Sequence, residues 1–179
     1  MNSMSAASLA QVRQQVGLIP DPEIPVVTLA ELGILREVVI VDGRMTVILT
    51  PTYSGCPATE AIAADVQATL HRLGHPNGQV ELVLAPAWTT DWITGAAREK
   101  LRAYGIAPPC HSVGAAPTTG ESVLHFMPQK PDTNTMVQPP CPRCDSARVE
   151  RLTEFGSTPC KSMYRCLSCR EPFDYFKPF

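Results

Sequence analysis

Four cysteines near the end of the chain form two Cys-x-x-Cys pairs, Cys141 with Cys144 and Cys166 with Cys169. Each pair can direct two sulfurs at one ion, and the pairs stand about 20 residues apart, a spacing typical of a four-cysteine zinc ribbon. A segment this short buries too little surface to fold by itself, so a bound metal would supply folding free energy. The pairs therefore predict a structural metal site, with zinc favoured over iron.

A fifth cysteine, Cys56, follows an apolar run in "TPTYSGCPA" and stands between Gly55 and Pro57. Because proline favours the first turn of a helix, Cys56 is predicted to be the N-cap of a helix or its neighbour. The positive end of the helix dipole would stabilise a thiolate there, which could bind metal or act as a nucleophile. Thr52 adds a hydroxyl nearby. The alternative is a small buried residue at a strand-to-helix turn.

The segment "PDPEIP" at 20–25 carries two carboxylates, Asp21 and Glu23, on a loop that three prolines make rigid. Together with a thiolate, these carboxylates would form a plausible set of metal ligands or acid and base groups. The alternative is that the loop is only a stiff connection. Sequence spacing does not show whether Asp21 and Cys56 meet.

The remaining cysteines have weaker signals. Cys160, in "FGSTPCKSMYRC", is an extra thiol near the ribbon, either a second reactive site or a buried filler. Cys110 and His111 could offer two soft ligands, but they lack a partner pair. No histidine can be tied to Cys56, so we expect the chain to have no enzymatic activity of its own.

The elements that must position these residues follow from periodicity and turn residues. The first part reads as helix, strand, strand, helix, strand, helix, which predicts an α/β (α+β) fold with a small mixed three-stranded sheet and packed helices. Asp42 and Gly43 suit the hairpin turn between the first two strands. The predicted ranges are helix 6–16, strands 34–41 and 44–50, a helix of about four turns from Pro57, strand 78–86, helix 89–105, and ribbon strands 146–153, 162–165 and 172–177. In the helix predicted at 89–105, we expect Trp92, Ile93, Ala97, Leu101 and Tyr104 to face the core.

Composition divides the chain into residues 1–109, a linker at 110–138 with one short strand at 122–126, and a zinc-ribbon module at 139–179. The seven cysteines are an odd number, and four of them stand in pairs, which favours metal over disulfides and a reducing, cytoplasmic setting. The sequence contains no run of about eighteen apolar residues, so we predict no membrane-spanning helix. The net charge of −2, with arginines interleaved among acids in the ribbon, argues against nucleic acid as a partner.

The segment "DPEIPVVTLAELGIL", followed by a hairpin and "TPTYSGCPA", resembles the small domain shared by SufT-type and cytosolic iron–sulfur assembly proteins over about residues 8–110. The resemblance implies that Asp21, Glu23, Thr52 and Cys56 form the working site at the sheet edge. It also implies transient binding of iron or an iron–sulfur cluster at Cys56, and delivery of clusters as a partner of other proteins.

Nearly the whole chain, with "FGSTPCKSMYRC" and "EPFDYFK" in its tail, is similar to the PaaD family, which belongs to the phenylacetyl-CoA epoxidase (oxygenase) systems of phenylacetate degradation. Members of this family are associated with a di-iron oxygenase component and an iron–sulfur flavin reductase component. The resemblance implies an accessory subunit that matures or inserts an iron or iron–sulfur centre of one of these partners. Two alternatives remain, a structural bridge between the components and a nucleic-acid-binding zinc ribbon.

Overall fold

A computed structural model describes residues 6–110 and 138–178 of the chain. Its helices are α1 (Ala6–Gly17), α2 (Thr59–Arg72) and α3 (Gly95–Tyr104). Its strands are β1 (Leu35–Val41), β2 (Arg44–Leu49), β3 (Gln79–Leu82), β4 (Ile106–Ala107), β5 (Val149–Thr153), β6 (Lys161–Cys166) and β7 (Pro172–Phe176). Within these described ranges, no helix has the length and apolar content needed to cross a membrane.

The first sheet has the order β1-β2-β3. Strands β1 and β2 are antiparallel and joined by Asp42 and Gly43, whose φ angles of 49° and 75° suit a tight hairpin turn. Helix α2 then crosses the sheet, so that β3 returns parallel to β2. The predicted mixed three-stranded sheet with its α-β-β-α-β-α order is confirmed.

The core of this part lies between the sheet and the helices packed on it. Helix α1 contributes Val12 and Val16, and β2 contributes alternate apolar residues that point to the same face. Helix α2 buries one apolar stripe, as its helical period predicts. The buried side chains of β2, α2 and α3 include Met45, Val47, Leu49, Ile62, Val66, Leu70, Ala97 and Leu101.

The helix predicted over 89–105 is instead two elements. A short 3-10 turn spans Thr90–Trp92, and α3 begins only at Gly95, because Thr94 is extended and its hydroxyl accepts the Ala97 N–H at 3.2 Å as an N-cap. The predicted end at Gly105 is confirmed, because Gly105 directly follows the last helical residue and has a left-handed φ of 98°. The expectation that Tyr104 faces the core is wrong, since this residue is 55% exposed. The chain turns at Gly105 and buries Ile106 instead.

The second sheet has the order β4-β7-β6-β5 and contains the predicted ribbon strands. Strand β4 comes from the first part of the chain, directly after α3, and pairs parallel with β7 through Ile106 and Asp174. The sheet of the ribbon is therefore completed by a strand from outside the ribbon.

The two parts of the chain also share a hydrophobic core. Phe176 of β7 and Cys160 belong to the same buried cluster as the first sheet and its helices. The ring of Phe176 lies 6.0 Å from the ring of Trp88, and Arg102 of α3 forms an ion pair with Asp145 of the ribbon. The boundaries at 109 and 139 stay a prediction, and the short strand expected at 122–126 lies outside the described residues.

Candidate functional site

The four paired cysteines converge at the end of the ribbon. Their sulfurs all lie within 4.8 Å of one another, with 3.8 Å between the Sγ atoms of Cys141 and Cys169 and 3.6 Å between those of Cys144 and Cys166. A tetrahedral zinc ion with Zn–S bonds of about 2.3 Å would separate its sulfurs by about 3.8 Å. The four thiols therefore fit a structural zinc ion, and they leave it no open coordination position.

Both Cys-x-x-Cys turns are shaped in the same way by the backbone. The residue after each pair, Asp145 or Arg170, has a left-handed φ of 59° or 64°. In the second turn, the N–H groups of Ser168 and Cys169 each donate to the Cys166 sulfur at 3.4 Å. Such N–H donors stabilise a thiolate and hold its position, so the second turn is prepared for the metal.

A second site lies between the first sheet and the ribbon, and we call it the thiol pocket. It is a cavity of about 30 Å³ whose polar lining includes all four residues predicted as a working site, together with two from the ribbon: Asp21, Glu23, Thr52, Cys56, Thr158 and Cys160. The rest of the wall is mostly apolar and includes Ile24, Leu32, Ile34, Leu49, Ile62 and Phe176. The structure thus brings Asp21 and Cys56 to one cavity, which sequence spacing could not show.

The connection from β2 to α2 positions Cys56. Its N–H donates to the Tyr53 carbonyl at 3.3 Å, and its own carbonyl accepts the Thr59 N–H at 3.2 Å. Helix α2 therefore starts at Thr59 with Ala58 as its N-cap, and Cys56 lies one tight turn before the cap. The expectation that Cys56 is the N-cap or its neighbour is corrected accordingly: Pro57 and Ala58 form a turn before helical hydrogen bonding begins. Cys56 is half-buried.

Asp21 is buried, and its carboxylate organises the proline-rich loop. One oxygen, Oδ1, accepts the N–H groups of Glu23 and Ile24, both at 2.9 Å, while the Asp21 N–H donates to the Val27 carbonyl at 2.9 Å. Burial raises the pKa of the Asp21 carboxyl, although the two N–H donors and the charge of Lys161 oppose the rise. The neighbouring Glu23 is exposed at the same cavity.

Cys160 reaches the thiol pocket from the connection between β5 and β6. The side chain is 8% exposed, and its sulfur lies 3.0 Å from the Thr158 hydroxyl. Burial raises the pKa of the Cys160 thiol, and the charges of Cys56 and Asp21 raise it further against the opposing effects of Thr158 and Lys161. These interactions place the Cys160 sulfur in the same electrostatic environment as Cys56 and Asp21.

A buried cation lies beside this group. Lys161 is 4% exposed, and its Nζ lies 3.6 Å from Asp174 Oδ2. Burial still raises the pKa of both Asp21 and Cys160, and the charge of Lys161 partly opposes each rise. The sequence identifies Cys160 only as an extra thiol near the ribbon, whereas the structure shows that it lines the same cavity as Cys56. No local signal in "TPCKS" points to this position, because it depends on how distant segments pack together.

The other sequence candidates lie elsewhere. Cys110 is outside the thiol pocket, and its N–H donates to the Tyr175 hydroxyl at 3.4 Å. His71 and His75 lie near the C-terminal end of α2, and neither lines the pocket. His111 and His125 lie outside the described residues. Among the described residues, no histidine is therefore available to Cys56 as a general base in this pocket.

Family models match both parts of the chain. The model described as iron-sulfur cluster assembly protein matches residues 9–83, which contain all four predicted working-site residues. The model described as PaaD zinc beta ribbon domain matches residues 127–177, which contain the four paired cysteines and Cys160. The thiol pocket thus draws residues from both matched regions.

Two similar proteins cover different shares of the chain. A protein of Escherichia coli K12, provisionally named as the D subunit of 1,2-phenylacetyl-CoA epoxidase, is 48% identical over 159 residues, which are 89% of this chain and 86% of the relative. The Fe-S protein maturation auxiliary factor of Porphyromonas gingivalis is 29% identical over 96 residues, 52% of this chain and 90% of the relative.

Among solved structures, a DUF59 domain of unknown function from Bacillus anthracis is 24% identical, with a TM-score of 0.48 over 53% of this chain and 92% of that one. A conserved hypothetical protein of Thermotoga maritima is 22% identical, with a TM-score of 0.44 over 56% of this chain and 97% of that one.

The similarity to the Escherichia coli protein extends over most of both chains, and the PaaD ribbon model matches the tail. The chain therefore belongs to the PaaD family of phenylacetyl-CoA epoxidase components.

Proposed function

We propose that this chain is an accessory subunit of the phenylacetyl-CoA epoxidase system in phenylacetate degradation, and that it matures an iron or iron–sulfur centre of a partner component. The thiol pocket is its working site, and iron is its cargo. The observation that carries the proposal is that the four predicted working-site residues line one small cavity. Membership of the PaaD family supports the assignment to the epoxidase system. The match to the iron-sulfur cluster assembly model supports a role in maturing an iron or iron–sulfur centre.

The size of the cavity supports an ion as the cargo. A cavity needs roughly 10–15 Å³ to hold one water molecule, whereas sites for small organic molecules occupy roughly 300–1,000 Å³. At about 30 Å³, the thiol pocket could enclose a single ion but not phenylacetyl-CoA. A whole iron–sulfur cluster would not fit inside it either, so we favour a single iron ion that a partner then receives.

The donor set suits delivery better than permanent binding. A thiolate from Cys56 and carboxylates from Asp21 and Glu23 are all ligands of ferrous iron, and this mixture is less selective than four thiolates. Glu23 is exposed and Cys56 half-buried, so a partner protein could reach the ion. The four-cysteine site, by contrast, leaves its ion no open coordination position. Its role is to stabilise the ribbon, whose residues form one wall of the pocket.

The test compares Cys56→Ser with Cys110→Ser in cells that depend on this chain for phenylacetyl-CoA epoxidation. Serine keeps the size of the side chain but is a poor iron ligand, so Cys56→Ser should retain one zinc per chain and normal unfolding while epoxidation falls. Cys110 is also half-buried but lies outside the pocket, so its variant should retain full activity. Full activity of Cys56→Ser would refute the proposal and would instead fit a chain that only bridges the oxygenase and reductase components.

A further inference from the structure

Three arginines of the ribbon meet at one cleft on its surface, which we call the arginine cleft. It is lined by Arg148, Arg165, Cys166, Leu167 and Arg170. We propose that this cleft binds a small phosphorylated molecule through its phosphate groups. The inference goes beyond the proposed function, because it involves neither the thiol pocket nor iron.

The fold gathers the arginines from three places in the sequence. Arg148 directly precedes β5, Arg165 lies in β6, and Arg170 directly follows the second Cys-x-x-Cys pair. A backbone hydrogen bond ties two of these segments together, since the Leu167 N–H donates to the Arg148 carbonyl at 2.8 Å. Arg170 has a left-handed φ of 64°, so the turn that carries the zinc ligands also fixes where this side chain leaves the backbone.

The cleft has an excess of positive charge. None of the described residues that line it is acidic. Glu150 forms a partly exposed ion pair with Arg165, whereas Arg148 and Arg170 form no ion pair with another described residue. Glu171 is exposed and follows Arg170 in the chain, but it does not line the cleft. Two guanidinium groups are therefore available to an anion from outside the chain.

The zinc site offers a competing explanation for the arginines, because an ion bound by four thiolates carries a net negative charge. Cys166 lines the cleft, but its sulfur accepts the N–H groups of Ser168 and Cys169 at 3.4 Å. Among the described hydrogen bonds, no arginine side chain donates to a cysteine sulfur. The two roles differ in a measurable way, because only arginines that neutralise the thiolates would affect zinc retention.

The chemistry and size of the cleft favour a small phosphorylated ligand. Each guanidinium group offers a fork of N–H donors that matches two phosphate oxygens. At about 360 Å³, the cleft falls within the range of roughly 300–1,000 Å³ that small-molecule sites occupy. Leu167 is 43% exposed and gives the organic part of such a ligand an apolar surface. The net charge of −2 disfavours nucleic acid, which is bound by extended basic surfaces.

The experiment titrates coenzyme A and inorganic pyrophosphate into the purified, zinc-loaded full chain and measures binding by calorimetry at low salt. Coenzyme A carries a phosphate monoester and a diphosphate on an organic molecule, whereas pyrophosphate has no organic part. We expect one coenzyme A per chain, with an affinity that falls as salt is added. Equal affinity for the two probes would assign recognition to the phosphate alone, and tighter binding of coenzyme A would add the organic part; both results support the inference.

Variants identify the residues that bind the ligand. Arg148→Gln and Arg170→Gln should each weaken binding by about tenfold or more, because each removes charge-assisted hydrogen bonds to phosphate. Both side chains are exposed, so the variants should keep their zinc and unfold as wild type does. Arg143→Gln is the matched control, because Arg143 is an exposed arginine of the first Cys-x-x-Cys turn and lies outside the cleft.

Several results would overturn the inference. These are the absence of saturable binding of either probe, equal weakening in Arg143→Gln, and loss of zinc from Arg148→Gln or Arg170→Gln. Tighter binding of a single-stranded oligonucleotide than of coenzyme A would also overturn it, because the cleft would then be part of a nucleic-acid surface. The proposed function is judged separately, since Cys56→Ser should bind coenzyme A as wild type does.

Discussion

Cys56, which follows the second strand of the first sheet, and Cys160, which precedes the second strand of the ribbon, line the same cavity of about 30 Å³. The cavity exists only where the two parts of the chain are packed together, since Phe176 of the ribbon forms another of its walls. The thiol pocket should therefore depend on both the zinc site, which stabilises the ribbon, and the shared core, which holds the ribbon against the first sheet. Each dependence can be tested.

Loss of the zinc site should open the thiol pocket. Cys166→Ser removes a buried zinc ligand, so the ribbon strands should lose their main source of folding free energy. Because Cys160 directly precedes β6, its alkylation should become faster, and zinc analysis should show less than one ion per chain. Cys110→Ser is the matched control and should keep its zinc. A Cys166→Ser chain that loses zinc but leaves Cys160 as slow as in wild type would contradict the link.

Phe176 should matter far more for stability than another phenylalanine of the same part of the chain. Phe176 is 1% exposed and contacts Trp88, whereas Phe155 is 63% exposed. Phe176→Ala should lower the free energy of unfolding by about 3–5 kcal/mol, and Phe155→Ala should change it by no more than about 0.5 kcal/mol. Urea unfolding of the two variants measures both values. Similar losses in the two variants would show that the shared core is not formed in solution.

Asp21→Asn should separate stability from function. Burial raises the pKa of Asp21, so its stabilising contribution is complete below the ordinary pKa of 3.8 and is lost as the pH rises through the folded-state value. The asparagine can still accept the loop N–H groups and carries no charge, so at pH 7 the variant should be at least as stable as wild type. Epoxidation in cells should nevertheless fall, because the proposed iron site would lose a carboxylate donor.

Asp21→Ala is the control for the loop. It removes the acceptor of two backbone N–H groups, which should cost about 1–3 kcal/mol. Urea unfolding at pH 5 and pH 7 compares the two variants with wild type. An Asp21→Asn chain as unstable as Asp21→Ala would mean that the charge itself holds the loop.

The loop before β1 should make the chain sensitive to acid. Burial alone would raise the pKa of Glu31, but hydrogen bonds from Lys100 at 2.6 Å and from the Thr28 N–H at 3.0 Å outweigh it and lower the pKa. The resulting stability is present above the ordinary pKa of 4.5 and is lost as the pH falls through the lowered value.

Glu31→Gln should therefore cost up to about 1 kcal/mol at pH 7, because the ion pair is partly exposed, and almost nothing at pH 3. Thermal unfolding at the two pH values measures the difference. The same substitution at the exposed Glu37 is the matched control and should change the free energy of unfolding by no more than about 0.5 kcal/mol at pH 7. An equal effect of Glu31→Gln at both pH values would exclude the charged interaction as its cause.

The sequence by itself was enough for features that depend on residues close together in the chain. Asp42 and Gly43 predicted the hairpin because their backbone preferences act locally, and the apolar period of α2 predicted its buried stripe. The two Cys-x-x-Cys pairs predicted the zinc site for the same reason, since each turn is a local structure. Local signals were less reliable at element ends, where Thr94 as an N-cap and the turn before Thr59 shifted the helix starts.

Only the tertiary structure decided which distant residues share a site. The placement of Cys160 and Cys56 at one cavity depends on how Phe176 packs against Trp88 and on the pairing of β4 with β7. Such packing is determined by the complementary shapes of side chains far apart in the chain, and no local period or spacing encodes it. The sequence alone therefore identified the ligands of the zinc site, while the membership of the thiol pocket required the folded chain.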